Sequence, residues 1–135
     1  MLKLIVGVKG TGKTKALIEM VNQTLETSKG SVVCIEMGTK LIYDIKYQAR
    51  LINTEQYNVR DAKSLFGFIA GISASDHDLT DLFVDSALKI CRDNIAAFEE
   101  FIVDLAELVE KIGFKCIITA SVSNEQLPQS LNKYL

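Results

Sequence analysis

The stretch GVKGTGKT, residues 7–14, constrains the fold of this chain more than any other feature. It follows the apolar run LKLIV, which has the length and composition of a buried strand. After it, apolar residues recur at three- and four-residue steps, as in an amphipathic helix, at Leu17, Ile18, Val21 and Leu25. The sequence therefore predicts a strand, a glycine-rich loop and a helix.

The loop matches the phosphate-binding pattern GxxxxGK[ST] in full and lies between a strand and a helix, as that pattern requires. Its glycines let the backbone curve around a phosphate, and the helix N-terminus adds a partial positive charge. Lys13 is expected to bridge the β- and γ-phosphates as a catalytic residue, and the Thr14 hydroxyl to ligate Mg²⁺. The predicted nucleotide-binding residues are Gly7, Val8, Lys9, Gly10, Thr11, Gly12, Lys13, Thr14 and Lys15.

A second feature is the apolar run LFV, which ends in a carboxylate at Asp85. A carboxylate at the end of a strand next to the loop is expected to hold the magnesium ion through a water molecule. The alternative is an aspartate that only caps the next helix.

Apolar runs and helical periods alternate along the chain. Strands are predicted at the start of the chain and at residues 31–37, 82–88 and 114–123, with a weaker candidate at 49–53. Helices are predicted at residues 13–29, 62–73 and 89–112, with Gly30 and Gly113 as helix stops. This alternation predicts a three-layer α/β/α fold with a mostly parallel sheet of about five strands.

Two segments are less regular. Residues 38–49 fit either a loop with a helical turn or an extended arm, and residues 124–135 form a polar tail. The cysteines are widely separated in apolar contexts and are expected to be buried thiols, at Cys34, Cys91 and Cys116.

Length and composition predict a single cytoplasmic domain over residues 1–135. Hydrophobic residues make up 48% of the chain and charged residues 24%, which suffices for a core. No segment reaches the about 18 consecutive apolar residues that a membrane span needs. The net charge of −2, with no Lys/Arg cluster beyond the loop, argues against nucleic acid as a partner.

With both motifs, the chain resembles the RecA-like branch of the P-loop NTPases over roughly Met1 to Ser121. The resemblance implies ATP and Mg²⁺ as ligands and the sheet order 3-2-4-5-1, in which the strand of residues 115–120 lies between the Asp85 strand and the loop strand. It also implies that Glu36, at the end of the second strand, is a catalytic residue that orients the attacking water. The alternative for Glu36 is a strand-end carboxylate that faces solvent. Candidate sensors of the γ-phosphate are Thr119, Ser121, Ser123 and Asn124.

The chain departs from this family by ending without a sixth strand to cover the first one. Soluble proteins seldom leave an apolar sheet edge bare, so the tail, a second copy of the chain or another protein is expected to cover it. The chain also looks like small clostridial-type proteins of unassigned function, some labelled twitching-motility ATPases. It is too short for a pilus-retraction motor, and its only histidine, His77, cannot supply the histidine box of those proteins.

Function follows from the same residues. No arginine lies in a motif that marks it as an arginine finger, so a slow or partner-activated ATPase is expected, with ATP favoured because the GTPase motif [NT]KxD is absent. One alternative is a nucleotide-dependent binding module in which ATP orders residues 38–49 or the tail. A small-molecule kinase is the other, although Lys40, Lys46 and Arg50 are few cations for a lid.

Overall fold

A five-stranded parallel sheet forms the centre of the computed structural model, which describes residues 1–135. Its strands are β1 (Leu2–Gly7), β2 (Ser31–Glu36), β3 (Arg50–Asn53), β4 (Leu79–Val84) and β5 (Lys115–Ser121). The order across the sheet is β1-β5-β4-β2-β3, which from the β3 edge reads 3-2-4-5-1. As predicted, β5 lies between the strand that leads to Asp85 and the strand that leads to the glycine loop.

Helices cover both faces of this sheet. They are α1 (Lys13–Thr27), α2 (Ala62–Ser75), α3 (Ala87–Ile90) and α4 (Ile95–Ile112), with 3-10 helices at Thr54–Tyr57 and Gln129–Tyr134. Alternate residues of β2 point to opposite faces: Val33 and Ile35 join the larger core with α2 and α4, while Val32 and Cys34 join a smaller core with α1. The predicted three-layer arrangement is confirmed. No helix is both long and apolar enough to cross a membrane.

The helix predicted at residues 89–112 is in fact two helices, so that prediction was wrong at its start. Arg92 and Asp93 adopt left-handed conformations, with φ of 59° and 56°, and turn the chain between α3 and α4. Asn94 then caps α4, because its side chain accepts a hydrogen bond from the main-chain N–H of Ala97 at 3.0 Å. Ile90, before the turn, is buried like the apolar residues of α4, so the apolar period continues across the turn. Periodicity alone therefore could not reveal that the helix is interrupted.

The two glycines predicted to stop helices behave differently. Gly113 ends α4 with φ of 94° and donates its N–H to the Val109 carbonyl, which confirms its role. Gly30 does not end α1, which stops at Thr27. Instead Gly30 lies against a neighbouring backbone, where an added Cβ would be 2.1 Å from the Asp78 carbonyl oxygen.

Residues 38–49 form a series of turns without regular secondary structure. Two hydrogen bonds hold them to α1: the Asn22 side chain donates to the Asp44 carbonyl at 2.9 Å and accepts from the Lys46 N–H at 3.1 Å. The buried apolar residues of this segment belong to the smaller core and are Leu41, Ile45 and Ala49. The weak strand candidate that follows is confirmed as β3.

The tail, which the sequence predicted to be polar, buries two of its leucines in the core. Leu127 and Leu131 are buried in the larger core together with Leu2 and Leu4 of β1. The 3-10 helix at its end packs on β1 and α4. The tail thus packs against side chains of β1 but adds no sixth strand, so β1 remains the edge of the sheet and the covering of that edge stays a prediction.

The three cysteines are buried and unpaired, as predicted. Burial raises the pKa of Cys34, Cys91 and Cys116 to about 12 in each case, because the surrounding apolar groups disfavour the thiolate. They are therefore core residues rather than nucleophiles.

Replacing Gly30 by alanine should destabilise the protein by about 1–3 kcal/mol, because the new methyl group forces the Asp78 backbone away. Gly71, in the interior of α2 with open space around it, is the matched control. Gly71→Ala should stabilise the protein by about 0.5–1 kcal/mol through helix propensity. Urea unfolding of both variants measures the difference; equal midpoints would contradict the close approach at Gly30.

Candidate functional site

The glycine loop joins β1 to α1 at the carboxyl edge of the sheet. Gly10 and Gly12 have φ of 87° and 84°, a left-handed conformation that other residues adopt at a cost. A Cβ at Gly7 would be 2.7 Å from the Thr11 hydroxyl oxygen. All three glycines are thus required by the folded loop itself.

The main-chain N–H groups of this loop are free. None of those from Lys9 through Lys15 donates a hydrogen bond within the protein, and the first one in α1 runs from the Ala16 N–H to the Gly12 carbonyl at 3.0 Å. Free N–H groups at a helix N-terminus carry partial positive charge and attract anions. The loop therefore presents unused donors where its sequence predicts phosphate binding.

These donors lie beside a cleft of about 430 Å³ whose lining is strongly basic. Its lysines are Lys9, Lys13, Lys15, Lys40 and Lys89. Asp93 is the one acidic residue in the lining, and hydroxyl groups come from Thr14, Ser86 and Ser121. The volume falls in the range of about 300–1,000 Å³ that ligand pockets occupy. The size and charge of the cleft thus suit a polyanion.

Not every predicted loop residue lines the cleft. Gly7, Val8 and Thr11 lie outside its lining, where the Thr11 hydroxyl donates to the Val8 carbonyl at 2.8 Å. The Lys13 ammonium donates to the same carbonyl at 2.9 Å and so lies across the loop. These contacts brace the loop from within.

A larger groove of about 830 Å³ lies elsewhere, between the start of β1, α4 and the tail. Its walls combine apolar side chains with Asp104, Glu107, Glu110, Lys111 and Lys133. It lacks the concentrated positive charge and the free main-chain donors of the smaller cleft. The size of that groove therefore does not make it the better candidate.

Asp85 lies at the centre of a hydrogen-bonded group below the loop. The Thr14 hydroxyl is 3.1 Å from each of its carboxylate oxygens, and the Thr119 hydroxyl donates to Oδ1 at 2.7 Å. Asp85 makes no helix-capping hydrogen bond, since α3 begins after Ser86 without a side-chain cap. A hydroxyl and a carboxylate side by side offer the hard oxygen ligands that Mg²⁺ takes.

Thr119 has a different place from the one expected for a phosphate sensor. Its side chain is buried, and its hydroxyl donates to Asp85 while accepting the Ser86 N–H at 2.8 Å. Among the other sensor candidates, Ser121 lines the cleft, whereas Ser123 and Asn124 do not. Thr119 thus orients Asp85 and does not itself face the cleft.

Glu36 also differs from expectation in its surroundings. Its carboxylate is buried, is absent from the cleft lining, and accepts the Leu41 N–H at 3.3 and 3.2 Å to its two oxygens. Burial raises the pKa of Glu36, although the hydrogen bonds from Leu41 and Lys40 oppose that rise. Glu36 thus anchors the start of the 38–49 segment, and its role in orienting water stays a prediction.

Comparison with protein-family models finds no match for this chain, and comparison with curated proteins finds none either. Its function therefore has to be inferred from the site itself.

Thr119→Val should destabilise the protein by about 1–3 kcal/mol, because it leaves Asp85 Oδ1 and the Ser86 N–H without a shared partner. Thr119→Ser keeps the hydroxyl and removes only a methyl group, so it should cost about 1 kcal/mol. Urea unfolding compares the two variants. A valine variant as stable as the serine variant would show that the hydroxyl does not support Asp85.

Proposed function

We propose that the protein binds Mg·ATP in the basic cleft and acts as a slow or partner-activated ATPase of the P-loop NTPase class. The observation that carries this proposal is the set of free main-chain N–H groups from Lys9 to Lys15 beside a lysine-lined cleft. The sheet order, with β5 between β1 and β4, agrees with the RecA-like branch of that class.

Each residue has a role that its position supports. The loop N–H groups and the Lys13 ammonium would bind the β- and γ-phosphates, since both lie at the cleft. Thr14 would ligate the magnesium ion, and Asp85 would hold it through a water molecule. The ion supplies charge neutralisation on the phosphates. The protein would contribute the Thr14 hydroxyl as a ligand and the Asp85 carboxylate as the partner of the bound water, and Thr119 holds that carboxylate in place.

Slow turnover is proposed because two requirements of hydrolysis are incomplete. A carboxylate must orient the attacking water, yet Glu36 is buried against the Leu41 N–H. Positive charge must stabilise the negative charge of the transition state, yet no arginine lines the cleft. A partner or a second subunit that releases Glu36 or supplies an arginine would raise the rate.

The second candidate is a nucleotide-dependent binding module without significant hydrolysis. Lys40 lines the cleft, and the next residue, Leu41, is bound to Glu36. The same segment presents Tyr43 and Tyr47 to solvent, with 96% and 90% of each residue exposed. A nucleotide that attracts Lys40 would therefore act directly on a segment with a large exposed aromatic surface.

Lys13→Ala should remain folded but lose its stabilisation by Mg·ATP, because the ammonium would contact the transferred phosphates. For the native protein that stabilisation is about 2.7 kcal/mol at a ligand concentration 100 times Kd, seen as a rise in Tm. Lys63→Ala, which removes an exposed lysine from α2, is the control and should behave as the native protein. Equal stabilisation of the Lys13 variant would refute the site.

Glu36→Gln should reduce phosphate release by about 100-fold or more if Glu36 orients the water, while nucleotide affinity is retained. The glutamine oxygen can still accept the Leu41 N–H, so the 38–49 segment keeps its anchor. A colorimetric phosphate assay over a range of protein concentrations measures the rate and reveals subunit-assisted turnover. Unchanged release would make Glu36 structural.

Two further outcomes of that assay separate the alternatives. If the native protein binds Mg·ATP but releases no phosphate, the binding module is favoured over the ATPase. Transfer of phosphate to an added nucleoside or sugar would instead favour the small-molecule kinase.

A further inference from the structure

A second basic pocket, of about 370 Å³, lies next to the basic cleft beside the glycine loop, which is the proposed nucleotide cleft. It is lined by residues that follow β2, that precede α2 and that belong to α3 and its end, namely Met37, Glu55, Val59, Arg60, Lys89, Ile90 and Arg92. Lys89 lines both this pocket and the nucleotide cleft, so the two cavities are neighbours.

The positive charge of this pocket is not neutralised by the protein. Arg60, Lys89 and Arg92 line it, against Glu55 as the only carboxylate. The one ion pair in the structure is elsewhere, between the amino terminus and Glu110. Hydrogen bonds from Ser64 lower the pKa of the nearby Asp61, with a smaller contribution from the charge of Arg92, but Asp61 makes no ion pair with that arginine. An excess of positive charge therefore faces the pocket.

The two arginines are held in place by their own hydrogen bonds. Arg92 donates from Nε to the Arg60 carbonyl at 2.9 Å, which leaves its two terminal nitrogens free. Arg60 donates from one terminal nitrogen to the Asn58 side chain at 2.8 Å. Both side chains are exposed, and the planar fork of a guanidinium matches a carboxylate or phosphate.

Apolar side chains form the base of the pocket. Val59 and Ile90 are buried, and Met37 is partly buried beside them. A pocket with an apolar base and cations at its rim suits a small organic molecule that carries an oxyanion group, rather than a free ion alone.

We propose that this pocket binds the carboxylate or phosphate group of a small organic molecule, next to the triphosphate end of the nucleotide cleft. The inference goes beyond the proposed ATPase, because neither ATP binding nor hydrolysis requires Arg60 or Arg92. It assigns a common role to two arginines that no sequence motif connects.

The test uses NMR signals of the arginine Nε–Hε groups, which report binding at each side chain even at millimolar affinity. Inorganic phosphate is titrated into the Lys13→Ala protein, in which the loop site is impaired. The signals of Arg60 and Arg92 should shift and saturate, while that of Arg50, on β3 and outside the pocket, should not. A parallel titration with acetate shows whether the pocket prefers a carboxylate or a phosphate.

Arg60→Gln provides the matched variant, because it removes one guanidinium and keeps the carbonyl that holds Arg92. The apparent Kd read at Arg92 should rise at least about tenfold, as expected for the loss of a charge-assisted hydrogen bond. Arg50→Gln should leave that Kd unchanged.

The proposal is overturned if neither anion saturates the Arg92 signal, if Arg50 responds in the same way, or if Arg60→Gln has no effect. These failures are distinct from a failure of the proposed function, which is read from Mg·ATP stabilisation of the native protein. Either proposal can therefore fail without contradicting the other.

Discussion

The hydrogen bonds that converge on the Asp85 carboxylate are the interaction on which the rest of the site depends. They join the first turn of α1 through Thr14, the end of β4 through Asp85, and β5 through Thr119. Because β5 lies between β1 and β4, the Thr119 hydroxyl on β5 can support the Asp85 carboxylate, and the glycine loop lies above that carboxylate. A buried carboxylate needs such partners, and here they fix the position of Asp85 beside the Thr14 hydroxyl.

Charge is distributed unevenly on this protein. The chain carries a net charge of −2, yet lysines from three separate regions of the sequence line one cleft. Gathering like charges is unfavourable unless an anion is bound there, and the unused N–H groups of the loop add to the same field. The structure thus combines two independent features that favour a polyphosphate at this edge of the sheet.

Glu36 connects this edge to the turns that follow β2. Its carboxylate is held by the Leu41 N–H, and Lys40, one residue earlier, reaches the cleft. Lys40 and Leu41 belong to the segment that exposes Tyr43 and Tyr47, and this continuity is the physical basis of the proposed module alternative. The same arrangement gives the proposed ATPase a built-in reason to be slow.

Local signals in the sequence were sufficient for much of the fold. The pattern of apolar runs around the glycine loop predicted the succession of strand, loop and helix at β1 and α1. The alternation of apolar runs predicted a mostly parallel sheet with helices on both faces, and Gly113 predicted the end of α4. These predictions succeed because they depend on steric limits and periodicities within a few residues.

Only the tertiary structure decided the contacts between distant segments. Thr119 meets Asp85 across 34 residues, and Arg92 meets the Arg60 carbonyl across 32. The turn at Arg92 and Asp93, which divides the predicted long helix, carries no glycine or proline to announce it. Such contacts depend on which strands are neighbours and on how closely the layers pack, and a linear pattern of residue types contains neither. The sequence by itself thus determined most of the elements and the glycine loop between β1 and α1, whereas the break between α3 and α4, the support for Asp85, the anchoring of Glu36 and the second basic pocket arose from packing.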